Sequence, residues 1–408
     1  MAPRVQVRLT NVLANTLAKT LYSYLRTFMS SFKDFEILSS LTATLEEKGF
    51  LTPTEIQARA IPQLKNGESV IGFSETGSGK TLAYALPIMH LLKSLEISGD
   101  AVTEKARPRA AVIVPTRELG EQVSKVFKPF THTTRLRVRS VLGGTAFEVA
   151  RKNVNGPFEI LVATPGRLVQ LLDRKLISLE DVRLLVFDEA DQMLDEGFLE
   201  HASHIVGACQ EKRQLALFSA TLAPEVQKLI DKLFKGAKLI KSAGSHQVVP
   251  TLKTINRTVE DGKRLPLLET LLTKDFEGGT LIFTNTRDQC DKLAHGLKKL
   301  GQECLIYRGE MDKIERRKNL KAFRDGKVRL LISTDLASRG LDVDHVGRVI
   351  NYHMPQQLDN YLHRVGRTAR AGRDGLVINF ITERDKSLLE GIKKFQPAAA
   401  LKALDRPT

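Results

Sequence analysis

"SVIGFSETGSGKTLAYALPI", residues 69–88, joins a short apolar run, a glycine-rich turn and a longer apolar stretch. The first part has the length of a buried strand and the last the length of a helix. Between them, Ser74 to Thr81 match the phosphate-loop pattern, with Ser74 where the first glycine is expected. A small residue there still lets the chain turn. Glycines allow backbone N–H groups to crowd a phosphate, and the N-terminus of the following helix favours its negative charge. Lys80 is placed to neutralise β and γ oxygens of a nucleoside triphosphate, and the Thr81 hydroxyl can ligate Mg²⁺. The predicted unit is strand, phosphate loop, helix.

The same rhythm recurs outward from this stretch. "AAVIVPT" (110–116), "ILVATPG" (160–166), "LLVFDEA" (184–190), "LALFSAT" (215–221), "TLIFTNT" (280–286), "RLLISTD" (329–335) and "RVINYHM" (348–354) are short apolar runs that end in polar residues or turn formers. Strands of a parallel sheet covered by helices on both faces read this way. Their polar ends then fall where open α/β sheets bind ligands. The rhythm breaks at 241–254, "KSAGSHQVVPTLKT", where Gly, Ser and Pro cluster without helical periodicity. The predicted fold is therefore α/β, with two parallel-sheet halves joined by a linker at 243–254. The halves share no sequence period, and 381–395 reads as a mixed-charge surface helix.

Composition narrows the partners. A chain of 408 residues is too long for one ordinary domain, and its net charge of +15 favours a polyanion, nucleic acid before membrane. No apolar run of about 18 residues occurs, so no membrane span is expected. Cys209, Cys290 and Cys304 are isolated, which indicates neither a disulfide framework nor a zinc site. Trp is absent and 6% of residues are aromatic, so base stacking should not dominate a grip on nucleic acid. Residues 1–33 lack Asp and Glu, and Leu13, Leu17, Leu21 and Leu25 recur every fourth residue. Three readings stay open there: an organellar presequence, an upstream extension of a protein that starts at Met29, or an ordinary appended helix. The expected location is cytoplasmic, with an organelle as the alternative.

"VFDEAD" (186–191) ends an apolar strand in three carboxylates. Buried unpaired carboxylates are costly, so packing does not account for them. Asp188 suits orientation of Mg²⁺ through water, and Glu189 suits activation of an attacking water. Asp191 should then pair with a polar partner elsewhere. Near the other end, "HRVGRTARAGR" (363–373) spaces Arg364, Arg367, Arg370 and Arg373 three residues apart. A solvated helix face and a site needing fixed positive charge are the two readings.

With "SETGSGKT", "PTRELGEQ" (115–122), "TPGR" (164–167), "DEAD" (188–191), "SAT" (219–221), "LIFTNTR" (281–287), "STDLASRGLDV" (333–343) and "HRVGRTAR" (363–370) in order, the chain resembles the DEAD-box RNA helicases of helicase superfamily 2. Upstream, "GFLTPTEIQ" (49–57) is similar to that family's adenine-reading Q motif. The resemblance spans about 32–393. It implies tandem RecA-like domains: an N-terminal extension 1–31, a Q-motif region 32–60, a first domain 61–242, the linker 243–254, a second domain 255–395 and a tail 396–408.

Further roles come from the resemblance alone. ATP and Mg²⁺ would be bound by Phe32, Phe50, Gln57, Ser74, Glu75, Thr76, Gly77, Ser78, Gly79, Lys80, Thr81 and Asp342, with Gln57 on the adenine edge and Asp342 at the ribose. Lys80, Asp188 and Glu189 would act in hydrolysis, with Arg367 and Arg370 as arginine fingers at the γ-phosphate. Asp191, Ser219, Thr221, His363 and Arg364 would couple the domains. Arg117, Gly143, Gly144, Thr164, Arg167, Thr284, Arg287, Arg316 and Thr334 would hold the RNA backbone. The implied function is an RNA-dependent ATPase, acting as a monomer, that unwinds short duplexes or remodels RNA–protein complexes with protein regulators. An ATP-gated RNA clamp and a DNA-directed ATPase are the alternatives. Gly120 stands where Ala is usual, Lys313 where Gln is, and His353 where Asp is.

Overall fold

A computed structural model describes residues 31–74, 77–193, 197–242, 252–260, 262–273, 276–309, 311–335, 343, 345–368 and 375–395. The readings of residues 1–28 lie outside them. The chain divides into two compact units, with the boundary between Ala243 and Gly244. Among the described residues no helix is long and apolar enough to cross a membrane.

Among the described residues the first unit holds seven strands: β1 (Val70–Phe73), β2 (Ala110–Ile113), β3 (Val138–Val141), β4 (Ile160–Ala163), β5 (Leu184–Asp188), β6 (Gln214–Ser219) and β7 (Lys238–Lys241). They pair in parallel in the order β3-β4-β2-β5-β6-β1-β7. Every residue of β1, β2, β4, β5 and β6 is buried, as apolar strands covered on both faces must be. One core packs the helix Lys80–Ile97 and neighbouring helices on one face, and a second core fills the other. The helix Lys80–Ile97 is apolar nearly all round because it is itself enclosed.

Parallel pairing puts all the strand ends that carry motifs along one edge. Read along the sheet from β1, the phosphate loop comes first, then "SAT" after β6, "DEAD" at β5, "PTRELG" after β2, "TPGR" after β4 and "GGT" after β3. Sequence order and spatial order differ, yet the motifs form one uninterrupted row.

The second unit has β8 (Leu252–Thr258), β9 (Gly279–Thr284), β10 (Leu305–Tyr307), β11 (Leu330–Thr334), β12 (Val346–Asn351) and β13 (Gly375–Ile381). Its parallel order is β10-β11-β9-β12-β13-β8. The predicted linker is too long at its far end: Leu252–Thr254 already belong to β8, which pairs with β13 over its whole length. Asn256, Asn379 and Asn351 stand in register on β8, β13 and β12. The Asn351 amide donates to Asn379 Oδ1 at 2.8 Å, and the Asn379 amide donates to Asn256 Oδ1 at 2.9 Å.

Candidate functional site

Gly77 and Gly79 of the phosphate loop adopt φ of +85° and +88°, conformations that glycine enters without a Cβ penalty. Space is a second constraint at Gly79, where a Cβ would lie 2.3 Å from Gln57 Nε2. The Gln57 amide donates to the Gly79 carbonyl at 3.0 Å, and its Oε1 accepts the Thr54 N–H at 2.9 Å. Gln57 therefore ties the Q-motif region to the phosphate loop, a link that the sequence pattern alone did not reveal. Lys80 Nζ donates to the Ser74 carbonyl at 2.8 Å, inside the turn. The Ser74 hydroxyl, at the start of the phosphate loop, is fully buried and meets no partner among the described residues. Ser78 and Thr81 lie half-buried on this loop and first turn.

Asp188 closes β5 with its side chain 2% exposed. Burial and the adjacent Glu189 push its carboxyl up to about 6, against the pull of Lys80, the Tyr84 hydroxyl and the Glu189 N–H. Tyr84 Oη donates to Asp188 Oδ2 at 2.7 Å, and the Glu189 N–H donates to Oδ1 at 3.0 Å. Tyr84 sits in an otherwise apolar run and was not singled out from the sequence. Thr81 and Asp188 offer the hard oxygen donors that suit Mg²⁺, which leaves its other positions to water and phosphate. Glu189 occupies the left-handed region at φ +52° and accepts a bond from Gln192 Nε2 at 2.5 Å. Asp191 finds its expected polar partner: Oδ2 accepts the Thr221 N–H at 3.1 Å and the Thr221 hydroxyl at 3.2 Å. Ser219 in turn donates to the Thr221 carbonyl at 2.8 Å.

Farther along the row, the Gly143 N–H donates to Thr164 Oγ1 at 2.8 Å. Arg167 reaches the same loop, donating to the Thr145 carbonyl at 2.6 Å while its guanidinium lies over the Phe147 ring. Gly144 turns with φ +76°. Arg117 opens the helix after β2 and donates to Glu121 at 2.8 Å. Four predicted backbone-binding residues, Gly143, Gly144, Thr164 and Arg167, are thus assembled in one place, with Arg117 at the end of the neighbouring strand.

Several expectations need correction. Phe32 is 3% exposed and packs edge-on against Phe35, so its ring supports the core and offers no free face to a base. Phe50, at 47% exposure, does present a ring. Thr284 is fully buried and its hydroxyl donates to the Thr286 carbonyl at 3.3 Å, beside Cys290 Sγ, so it presents nothing to RNA; Thr334 is also buried. Arg287 is exposed at the first turn of the helix Arg287–Lys299, and Arg316 lies over the Tyr307 ring.

Arg364 is the largest correction, because it is not available to couple the units. It is 1% exposed, and its five N–H groups are spent inside the second unit. They go to both oxygens of Asp335 at 2.5 and 2.8 Å, to Asn351 Oδ1 at 3.1 Å, to the His353 carbonyl at 2.6 Å and to Asn285 Oδ1 at 2.9 Å. Asp335, Asn285 and Asn351 were not singled out from the sequence. The helix Leu358–Val365 ends between Arg364 and Arg367, which breaks the even spacing of the arginines. His363 is half-buried and Arg367 is buried. Glu75, Thr76, Asp342, Arg370 and Arg373 lie outside the described residues.

Two family profiles match, DEAD/DEAH box helicase over residues 54–229 and helicase conserved C-terminal domain over residues 263–372. The ATP-dependent rRNA helicase RRP3 of Encephalitozoon cuniculi is 36% identical over 89% of this chain and 88% of its own length. The ATP-dependent RNA helicase DeaD of Buchnera aphidicola is 34% identical over 89% of this chain, which spans 59% of that longer relative. The structure of S. cerevisiae Dbp5 bound to RNA and ADP BeF3 superposes with a TM-score of 0.79 at 28% identity, covering 90% of this chain and 93% of that one. With profiles, relatives, fold and motif row in agreement, the chain belongs to the DEAD-box RNA helicases of superfamily 2.

Proposed function

We propose that the chain is an RNA-dependent ATPase that opens short RNA duplexes or remodels RNA–protein complexes. The observation that carries the reading is the row of strand ends in the first unit. Its β1, β6 and β5 side holds the nucleotide chemistry, its β2, β4 and β3 side holds a cluster suited to phosphates, and the Asp191–Thr221 bonds lie on the β5–β6 half. Phosphate contacts position a nucleic acid without reading its sequence.

In this reading Lys80 neutralises the β and γ oxygens, and Glu189 takes a proton from the attacking water. Mg²⁺, held through Thr81 and Asp188, would stabilise charge on the phosphates when bound. RNA and ATP together close the second unit on the first, bringing Arg367 and Arg370 to the γ-phosphate, so turnover is gated by RNA. An arginine there is typically worth about 10³ or more in rate for this chemistry. The cytoplasm is the proposed location, with N-terminal sequencing of the mature protein as its check.

ATPase assays with matched RNA and DNA oligomers, run beside strand displacement, test the reading. Stimulation by RNA, little by DNA, and displacement of short duplexes are expected. Equal stimulation by DNA would favour the DNA-directed alternative, because RNA specificity depends on 2′-hydroxyl contacts. Strong RNA stimulation without displacement would favour the clamp.

A further inference from the structure

Tyr84 lies one turn beyond Lys80, on the same face of the helix Lys80–Ile97. Its ring packs on Phe218 of β6, with centroids 5.5 Å apart. β6 is the strand between β1, which leads into the phosphate loop, and β5, which ends in Asp188. The phenol thus crosses the intervening strand and donates to Asp188 Oδ2 at 2.7 Å. The ring that carries this oxygen is fully buried, so the bond to one of the side chains that suit Mg²⁺ is made away from solvent.

Resting on the nucleotide-site reading above, we propose that Tyr84 is a positioning residue that sets the Asp188 carboxylate for Mg²⁺ before the nucleotide arrives. With Oδ2 held by the phenol and Oδ1 by the Glu189 N–H, the carboxylate has one orientation in which to meet the metal's water shell. Partners of this kind fix the ligand's geometry, and losing one typically lowers metal affinity about 10- to 100-fold. Phenylalanine would fill the same space and remove only the oxygen.

The test is Tyr84→Phe in the full chain, read by binding of a fluorescent ADP analogue during a Mg²⁺ titration, with a parallel titration in EDTA. About a tenfold rise in the half-saturating Mg²⁺ concentration is expected, with EDTA affinity within about twofold of wild type. Mn²⁺, which an N/O site binds more tightly, should narrow the gap. An unchanged Mg²⁺ requirement, or an equal loss with and without metal, overturns the positioning role. Thermal unfolding without nucleotide checks that the fold survives. Should Tyr84→Phe fail to fold, Tyr84→Met, which also lacks the donor, is read the same way, and a Mg²⁺ requirement matching wild type then overturns the proposal. Wild-type protein that binds no nucleotide under either condition would instead sink the underlying reading of the site.

Discussion

Gly120 and Leu142 are fitted to each other so closely that a Cβ on Gly120 would stand 2.4 Å from Leu142 Cδ2 and 3.0 Å from Cδ1. Gly120 lies in the first turns of the helix after β2, and Leu142 immediately precedes the Gly143–Gly144 turn. The glycine that departs from the family's usual alanine is thus matched to a leucine that leads into the Gly143–Gly144 turn.

Gly120→Ala should therefore destabilise the first unit by about 1–3 kcal/mol, the usual range for an overpacked core, despite alanine's better helix propensity. Leu142→Ala should cost about 2–5 kcal/mol alone. The double variant should be less destabilised than the two changes added together. Urea unfolding of the four proteins decides it, and strict additivity would show that the two side chains are not coupled.

Glu189→Gln should keep nucleotide binding and lose about 10²–10⁴-fold in turnover, the range for a general base. Glutamine can still accept from Gln192, so the local hydrogen bond survives and the base alone is removed. ATP affinity and single-turnover rate are the two measurements. Full turnover would remove Glu189 from the chemistry.

Arg364→Lys should behave as a folding variant. Lysine has three donors on one nitrogen and cannot span Asp335, Asn351, the His353 carbonyl and Asn285 together. Each buried acceptor left without a donor typically costs about 1–3 kcal/mol, so the unfolding transition of the second unit should drop sharply. A variant with wild-type stability and only RNA-stimulated ATPase lost would return Arg364 to the coupling of the domains.

Acid sensitivity should come partly from His353. Burial first, then Arg264 and Arg364, lower its side chain to about 4, with Asp385 opposing them weakly. The unfolded chain, near 6.5, takes the proton first as pH falls. The stability of the neutral ring is therefore whole above about 6.5 and is lost progressively as pH falls through about 4. His353→Gln should flatten that part of the stability profile in urea melts at stepped pH. An identical profile in the variant would assign the acid sensitivity elsewhere. An aspartate would place a carboxylate beside Arg364, which already has both oxygens of Asp335.

Much of this was legible in the sequence because apolar strands end in chemistry-bearing residues. Lys80, Asp188, Glu189 and the Gly143–Thr164 pair could be found by motif, and their strands by apolar run. What escaped depends on which strands are neighbours. Tyr84 reads as one more core residue until β6 is known to lie between β1 and β5. Arg364 and Arg367 read alike until the helix is seen to stop between them, although both are buried. Phe32 looked isolated because Phe35, three residues on, was not read as its packing partner. The linker estimate overran because "LKTINRT" lacks the apolar run of an enclosed strand; β8 lies at an edge, and only part of it is buried.

The asparagine row across β8, β13 and β12 ties sequence drift at distant positions together. Replacing one asparagine leaves a neighbour in the row without its bond, at about 1–3 kcal/mol, whereas replacing the whole row removes these donors and acceptors together and leaves the partners outside it, Arg364 and the Tyr361 hydroxyl, to be satisfied otherwise. Descendants of this sequence should keep the row or lose it as a block. Asn351 is the member least free to change, because it is also bound by Arg364.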